Sequence, residues 1–339
     1  MESNKKRILI VGGYGQVGSN IARLIRNEDR TAQLILAGRN PQSGEMLIKE
    51  LANAETAYIN LDESFDLSDF GKIDLIISAL DDHRNVLRET ALTNGISCIS
   101  VSELADQISP MVFLSLHKRI SAPIVFAGHW QGGLLTLVVK HLAARFIRVN
   151  KVETAGLYDP KDPVGPLVTE EVKGFVGKAL IRQDGSWLSV ESRDHGRLIG
   201  LHDHSQVLGY PMGTLDVPSI AAFTDASNIR FDFIVEESIG SSKGLGASHD
   251  LYIEIEGTLL SGERTKLRTI VSGPRGNSHL TAVGIYLIAE SILGLKGQSS
   301  VQKAGGLYLP ENIVSSDNII SRLSGFGINI VEEIGISLI

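Results

Sequence analysis

The sequence predicts an α/β protein in which an N-terminal Rossmann domain, a doubly wound parallel sheet, precedes an α+β domain with an antiparallel sheet. The first third of the chain alternates short β-branched runs with amphipathic segments, which is typical of a parallel sheet covered by helices. A glycine-rich turn follows the first of these runs. Beyond residue 150, strand-like runs are separated by Gly, Pro, Asp and Asn, which indicates a second domain of a different kind.

The N-terminal elements follow from apolar runs and their spacing. We expect strands at residues 8–11, 34–37, 57–60, 75–78, 98–101 and 124–126. Apolar residues recur at helical spacing at residues 17–26, 43–52, 83–94 and 110–119. In the first of these helices, Val17, Ile21 and Leu24 fall on one face. Six strands with intervening helices make a doubly wound domain of residues 1–127.

The rest of the chain divides into a sheet region and a helical C-terminal segment. An apolar segment at residues 134–146 precedes expected strands at 152–158, 177–181, 187–191, 229–236, 250–260 and 266–271. Polarity partly alternates along residues 251–258, which predicts an antiparallel sheet with one solvated face. Helical periodicity returns from His279, and a further helix is expected at 315–323. These patterns give a second domain of residues 128–272 and a C-terminal segment of residues 273–339.

Length, charge and cysteine content exclude several classes of protein. With 339 residues, the chain exceeds the ~250–300 at which single cores stop growing. Its 39 acidic and 32 basic residues give a formal net charge of -7, so no nucleic-acid partner is expected. The single cysteine, Cys98, favours a reducing, cytoplasmic location. The apolar run at residues 8–11 is too short for a secretion signal, and Lys140, His141 and Arg145 interrupt the most apolar later stretch, so no membrane span is expected.

The motif with the clearest chemical meaning is the glycine-rich loop at residues 12–18, between the first strand and the first helix. We expect Gly13 to permit the tight turn, Gly15 to let a pyrophosphate approach the backbone, and Gly18 to let the helix pack on the strand. The helix N-terminus then supplies N–H groups to the anion. The predicted nucleotide-binding loop therefore consists of Gly13, Tyr14, Gly15, Gln16, Val17 and Gly18.

The end of the second strand indicates which dinucleotide binds. An acidic residue there would hold the ribose 2′-hydroxyl of NAD, but the chain has Gly38, Arg39 and Asn40 instead. Arg39 suits a 2′-phosphate, so NADP is favoured, NAD stays an alternative, and flavin is disfavoured. A solvated loop residue is the other interpretation of Arg39. Later strand ends supply expected nicotinamide-side positions at Ser78, Ala79, Leu80 and Ser102.

Other catalytic templates do not match the sequence. None of the seven tyrosines is followed by a lysine four residues later, which excludes the Tyr-x-x-x-Lys pair of short-chain dehydrogenases. The chain also has no Walker loop, and a hydrolase or transferase is disfavoured.

The sequence resembles the saccharopine dehydrogenase family of reductases at four places. Two of them, the 12–18 loop with residues 37–39 and the run at 74–79 with 95–100, are shared by many nucleotide-binding domains. Two are more specific: Gly-His-Trp-Gln-Gly-Gly-Leu at 128–134 and Gly-Leu-Tyr-Leu-Pro-Glu at 306–311. The first departs from the family's usual Pro-Gly-Leu at Gly132 and Gly133, which keeps the tight turn without its rigidity. Between about 150 and 270 the resemblance is thin.

The resemblance implies a Rossmann domain completed by C-terminal helices that return to it, an intervening α+β domain and a substrate cleft. It also implies hydride transfer between nicotinamide and an amino-acid-derived imine or secondary amine. A non-catalytic NADP-binding redox sensor is the alternative. Because antiparallel domains with long strands often pair across a two-fold axis, a homodimer is expected.

Several side chains are candidates for the chemistry. His129 is the first candidate acid/base, with a packed structural histidine as the alternative. Asp81 and Asp82 follow the fourth strand, where they would orient nicotinamide or substrate or else cap the next helix. No metal site is expected, since nothing completes a tetrahedral set around His195, His202, Asp203 and His204. Arg230, Lys243 and Arg275 are candidates for binding a substrate carboxylate, and ordinary solvated charges are the alternative interpretation.

Overall fold

The computed structural model describes residues 5–101, 105–163, 177–295 and 304–333. The chain divides into two compact units, one of Met1–Gly133 with Thr281–Val314 and one of Leu134–Leu280 with Ser315–Ile339.

The strands of the described residues, in chain order, are β1 (Arg7–Val11), β2 (Gln33–Gly38), β3 (Ala54–Tyr58), β4 (Leu75–Ser78), β5 (Ser97–Ser100), β6 (Pro123–Phe126), β7 (Phe146–Tyr158), β8 (Lys178–Gln183), β9 (Ser186–Glu191), β10 (Arg197–Gly200), β11 (Gln206–Pro211), β12 (Asn228–Val235), β13 (His249–Leu259), β14 (Arg264–Gly273), β15 (Gly306–Tyr308) and β16 (Asn329–Glu333). The α-helices are α1 (Gln16–Glu28), α2 (Glu45–Leu51), α3 (Val86–Asn94), α4 (Ala105–His117), α5 (Leu134–Ala143), α6 (Asp216–Phe223), α7 (Ile239–Ser242), α8 (Asn277–Leu293), α9 (Pro310–Ile313) and α10 (Ile319–Gly325).

The first unit contains a parallel sheet in the order β15-β6-β5-β4-β1-β2-β3. Strand β1 pairs with both β2 and β4, and Val11 lies in register with Ala37 on one side and Ser78 on the other. Strands β1, β2 and β4 are almost wholly buried, as expected for a parallel sheet covered on both faces. The doubly wound Rossmann prediction is confirmed, and the chain order reverses at β1, where nucleotides bind in such sheets.

Two helices of this unit begin differently from the sequence prediction. Helix α3 begins at Val86 rather than 83, because the Asn85 N–H donates to the Asp82 carbonyl (2.8 Å) and Asn85 adopts a φ of 57°. The segment predicted as a helix at 43–52 opens instead as a 3₁₀ turn, Pro41–Gly44, before α2. Each helix is therefore preceded by a turn that the apolar periodicity does not reveal.

The C-terminal segment is divided between the two units: Thr281–Val314 belongs to the first and Ser315–Ile339 to the second. In the first unit, β15 extends the sheet by pairing in parallel with β6. Strand β15 has only three residues, which is too short for periodicity to predict.

The second unit contains a mostly antiparallel sheet in the order β10-β11-β12-β7-β13-β14-β16, and β8 pairs with β12 and β9. The predicted antiparallel sheet is present, with β7 and β12 as a parallel pair within it. Helix α5 supplies buried apolar side chains to this unit, including Leu134, Leu137 and Val138. Strands β10, β11 and β16 are not predicted from the sequence.

One face of this sheet carries paired charges, as the alternating polarity predicts. Glu254 lies opposite Arg268, and its carboxylate is 2.8 Å from the Lys266 ammonium. On the neighbouring strand β7, Lys151 lies 3.0 Å from Glu153. These ion pairs are partly exposed, so they contribute little to stability and mainly keep the face polar.

Candidate functional site

The candidate site begins where β1 ends and the glycine-rich loop starts. The Gly12 N–H donates to the Ala37 carbonyl at 2.8 Å, and the Ala79 N–H donates to the Val11 carbonyl at 2.8 Å. These bonds tie the loop to the ends of β2 and β4 on its two sides. The loop is therefore held at the carboxyl edge of the sheet, at the point where strand order reverses.

The glycines of the loop are required for different reasons. The left-handed turn conformation lies at Gly12 (φ 81°), one residue before the position that the sequence predicts. At Gly13 a Cβ would lie 2.7 Å from the Ile10 carbonyl oxygen and 2.9 Å from the Leu36 Cα. At Gly18 a Cβ would overlap the Gly12 carbonyl and lie 2.8 Å from the Gly13 Cα. Gly13 and Gly18 thus permit close packing, whereas the turn depends on Gly12.

Gly15 has another environment, because it is exposed and forms the N-cap of α1. A Cβ at Gly15 would meet only the Gly12 carbonyl oxygen, at 3.1 Å. No side chain caps the helix at Gly15, and its first turn contains no acidic residue. The positive end of the α1 dipole therefore lies at an exposed part of the loop that an anion can approach, and the residues present fit a dinucleotide pyrophosphate.

The end of β2 lies beside this loop. Arg39 and Asn40 are exposed, and within the described residues the Arg39 guanidinium makes no hydrogen bond or salt bridge. The Asn40 N–H donates to the Tyr14 hydroxyl at 2.9 Å, which joins the glycine-rich loop to the end of β2. The structure thus brings Tyr14, Gly38, Arg39 and Asn40 together.

The end of β4 forms the other side of the candidate site. Ser78 is buried, and its hydroxyl donates to the Leu80 carbonyl at 3.3 Å, which bends the chain after the strand. Ala79 and Leu80 are half-buried next to the loop. Ser102, the remaining predicted cofactor residue, lies outside the described residues.

Asp82 has the helix-capping role that was its alternative interpretation. Its carboxylate accepts from the N–H groups of Val86 (2.8 Å) and Leu87 (2.9 Å). Arg88, only 1% exposed, donates to the Asp82 carbonyl, the Asn85 side chain and the Ser100 hydroxyl. Burial raises the pKa of Asp82, and the Arg88 charge opposes that rise. Arg88 therefore joins the chain after β4 to the end of β5, a role for which the sequence shows no signal.

Asp81 points away from this buried network and is exposed. One carboxylate oxygen accepts from the Gln107 amide at 3.1 Å, and the other lies 3.8 Å from the Nδ1 of His83. Neither Gln107 nor His83 is a candidate from the sequence, although the Asp-x-His spacing at 81–83 is a signal that would have found the second. The arrangement places a carboxylate and an imidazole together after β4.

His129 is 3% exposed and follows β6. Burial lowers its pKa to about 3, and the Phe126 carbonyl opposes this only in part. The imidazole is then neutral at physiological pH, so this environment opposes the acid/base role that the sequence predicts. The backbone of His129 begins a tight turn, in which its carbonyl accepts a hydrogen bond from the Gly132 N–H at 3.0 Å.

The candidate carboxylate-binding cations are not assembled into one site. Arg230 and Arg197 bind the fully buried carboxylate of Asp232, at 2.5 and 2.6 Å. Arg275 donates to the Phe326 carbonyl at 2.7 Å, and Lys243 is exposed. Arg230 is thus occupied by an internal ion pair.

The histidines considered for metal binding lie on different local structures. His202, Asp203 and His204 lie in the turn between β10 and β11 rather than on a strand, because the Leu201 N–H donates to the Ser205 carbonyl (2.8 Å). His195 bonds the Glu191 carbonyl at 3.0 Å. Within the described residues, no three His, Cys, Asp or Glu side chains are grouped as metal ligands.

Comparisons with known proteins identify the fold. The family model of shikimate/quinate 5-dehydrogenase matches residues 1–105. The apo structure of the L-Glu-forming saccharopine dehydrogenase from Saccharomyces cerevisiae superposes with a TM-score of 0.69 at 11% identity, covering 98% of this chain and 100% of that one. The chain has the saccharopine dehydrogenase fold. The structure of homospermidine synthase from Legionella pneumophila, in complex with NAD, is also similar, with a TM-score of 0.65 at 11% identity. The match covers 98% of this chain and 92% of that one.

No curated protein matches the sequence. Among the helices that the structure describes, none combines the length and apolarity that a membrane span needs.

Proposed function

We propose that this protein is an NADP-dependent oxidoreductase that transfers a hydride between nicotinamide and an amino-acid-derived imine or secondary amine. The observation that carries the proposal is the N-terminus of α1 behind the exposed Gly15, with no acidic residue in the first turn, at the edge where strand order reverses. Close backbone approach and free N–H groups are what a pyrophosphate requires at this position. The shikimate/quinate 5-dehydrogenase model, which matches residues 1–105, supports the same use of this unit.

The end of β2 supports NADP over NAD. In NAD sites an acidic side chain after this strand accepts a hydrogen bond from the ribose 2′-hydroxyl. Here the exposed Arg39 takes that place, with no salt bridge in the described part of the chain to neutralise it. A guanidinium binds a 2′-phosphate with charge-assisted hydrogen bonds and gains little from a hydroxyl.

The saccharopine dehydrogenase fold supports an amine or imine substrate. That fold extends over 98% of the chain, and the similar structures include an L-Glu-forming saccharopine dehydrogenase and a homospermidine synthase bound to NAD. Both proteins are named for nitrogen-containing compounds, which supports an amine or imine as the substrate. We therefore propose an amino-acid-derived substrate for this chain.

We propose that Asp81, together with His83, acts as the general acid/base that donates or accepts the proton in this reaction. A bound nicotinamide would supply or accept the hydride, and the substrate nitrogen must gain or lose a proton as the carbon is reduced or oxidised. The Asp81 carboxylate is exposed after β4, with Gln107 fixing one oxygen and His83 beside the other. A carboxylate held in this way can accept a hydrogen bond from a protonated imine nitrogen, and the imidazole, 3.8 Å from the carboxylate, can exchange the proton through one intervening water.

A titration of the protein with NADPH and with NADH, monitored by nucleotide fluorescence, tests the cofactor proposal. We expect NADPH to bind more tightly, and Arg39→Ala to weaken NADPH about tenfold while changing NADH by less than about twofold, since a charged hydrogen bond is lost. Arg30→Ala is the matched control, because Arg30 is exposed at the opposite end of α1 and should leave both affinities unchanged. Failure of the wild-type protein to bind either nucleotide would contradict the proposal.

NADPH oxidation in mixtures of amino acids and 2-oxo acids tests the reaction. We expect consumption of NADPH only when an amine and a carbonyl compound are both present, because together they form the imine. Tight NADPH binding without turnover in any mixture would instead favour a non-catalytic redox sensor.

A further inference from the structure

The side chain of Tyr14 lies across the carboxyl end of β2. At Gly38 a Cβ would overlap the Tyr14 hydroxyl and lie 2.8 Å from its Cζ. At Gly44 a Cβ would lie 3.0 Å from the Cδ1 of the same ring. The ring therefore occupies space that two glycines leave open, and its hydroxyl is placed beside the backbone of residues 38–40.

The direction of one hydrogen bond determines what this hydroxyl can do. The Asn40 N–H can only donate, so at 2.9 Å the Tyr14 oxygen is the acceptor. The phenolic proton must then point elsewhere, and no acceptor for it occurs in the described residues. Burial raises the pKa of Tyr14, although the Asn40 N–H and the Arg39 charge oppose that rise. The group thus keeps its proton at neutral pH and acts as a donor directed at something outside the chain.

We propose that Tyr14 is a specificity-determining residue whose hydroxyl donates a hydrogen bond to the 2′-phosphate of the adenosine ribose, next to Arg39. This inference rests on the proposed function. In Rossmann domains the ribose 2′ group lies at the end of the second strand, which is where this donor is held. A phosphate dianion only accepts hydrogen bonds. It therefore matches the Tyr14 hydroxyl, whose oxygen already accepts from the Asn40 N–H and whose proton is left to donate. A 2′-hydroxyl can also accept this proton, but the hydrogen bond is then between neutral groups and is weaker than one to a phosphate.

Isothermal titration with adenosine 2′,5′-bisphosphate and adenosine 5′-monophosphate tests this inference without any catalytic readout. We expect Tyr14→Phe to weaken the bisphosphate about tenfold and the monophosphate less than about twofold, because only the bisphosphate loses a charged hydrogen bond. Tyr308→Phe is the matched control. Tyr308 lies on β15, at the opposite edge of the same sheet, and its hydroxyl donates to the Ala304 carbonyl at 2.9 Å. The substitution should leave both affinities unchanged.

A double variant separates direct donation from an effect through Arg39. If Tyr14 binds the phosphate itself, Tyr14→Phe still weakens the bisphosphate in an Arg39→Ala background. If it only positions the loop that carries Arg39, the second substitution has no further effect, and the inference is overturned. Equal weakening of both ligands also overturns it, while leaving the proposed function intact. Failure of the wild-type protein to bind either ligand, by contrast, counts against the proposed function itself.

Discussion

Replacing Gly15 by alanine is expected to weaken NADPH binding about 100-fold, or roughly 2.7 kcal/mol, while leaving the fold intact. The added Cβ would stand on the exposed side of the loop, in the space through which a pyrophosphate must approach the first N–H groups of α1. The backbone tolerates alanine, because Gly15 has a φ of -72° and the new Cβ meets only the Gly12 carbonyl oxygen, at 3.1 Å. Nucleotide titration and urea unfolding of the same preparation measure the two quantities separately.

Gly18→Ala is the contrasting control, because the same atom is added where it has no room. Its Cβ would overlap the Gly12 carbonyl and lie 2.8 Å from the Gly13 Cα, both backbone atoms that cannot move aside cheaply. We expect a loss of about 3 kcal/mol in the free energy of unfolding of the first unit. If Gly15→Ala instead bound NADPH as well as the wild type, the pyrophosphate would not cross this loop, and the proposed function would lose its main support.

The first unit was predictable because its strands are buried on both faces. Such strands appear in the sequence as continuous runs of Ile, Leu and Val, which identify β1, β2 and β4 without knowledge of their partners. Strands β10 and β11 carry no comparable run. They pair with each other as a hairpin, and their place in the sheet depends on the pairing of β11 with β12, which joins Tyr210 to Phe233. Periodicity therefore identifies the Rossmann core and misses the hairpin at the edge of the second sheet.

The candidate site shows the same limit at the level of single residues. The glycine-rich motif is visible in the sequence, but which glycine takes the positive φ depends on how the loop packs against Ala79. The hydrogen bond between Tyr14 and Asn40 spans 26 residues, and no local pattern indicates it. The burial of His129 is likewise a tertiary property, so a sequence places this histidine near the site without showing whether it can carry a proton.

Lowering the pH from 7 to 5 is expected to destabilise both units, because buried histidines resist protonation in the folded state. Burial lowers the pKa of His129 and of His249 to about 3, and burial together with the Arg275 charge lowers that of His279 to about 4. In the unfolded chain a histidine titrates near 6.5, so the unfolded state binds more protons as the pH falls below that value. Each histidine then removes about 2 kcal/mol of stability between pH 7 and pH 5, and the loss continues down to the folded pKa.

The two tryptophans allow this effect to be assigned to each unit. Trp130 lies in the first unit, with His129, and Trp187 lies in the second, with His249 and His279. Urea unfolding of Trp130→Phe and of Trp187→Phe proteins, followed by fluorescence across this pH range, reports one unit at a time. We expect a histidine contribution of about 2 kcal/mol in the first unit and about 4 kcal/mol in the second.

Variants isolate the histidines from other titrating groups. Burial raises the pKa of Asp82 and of Asp162, so protonation of these two groups stabilises the folded state as the pH falls, opposite to the histidines. Wild type and variant are therefore compared by the slope of stability against pH and not by absolute stability. His249→Asn should reduce the pH slope of the second unit by about 1 kcal/mol per pH unit averaged between pH 7 and pH 5, approaching the ~1.4 kcal/mol of one full proton at the acid end. His204→Asn should leave it unchanged, since His204 is exposed and its φ of 66° suits asparagine. Equal slopes in the wild type and His249→Asn would mean that His249 takes up its proton in the folded protein. Its burial would then not reduce the free energy of unfolding as the pH falls.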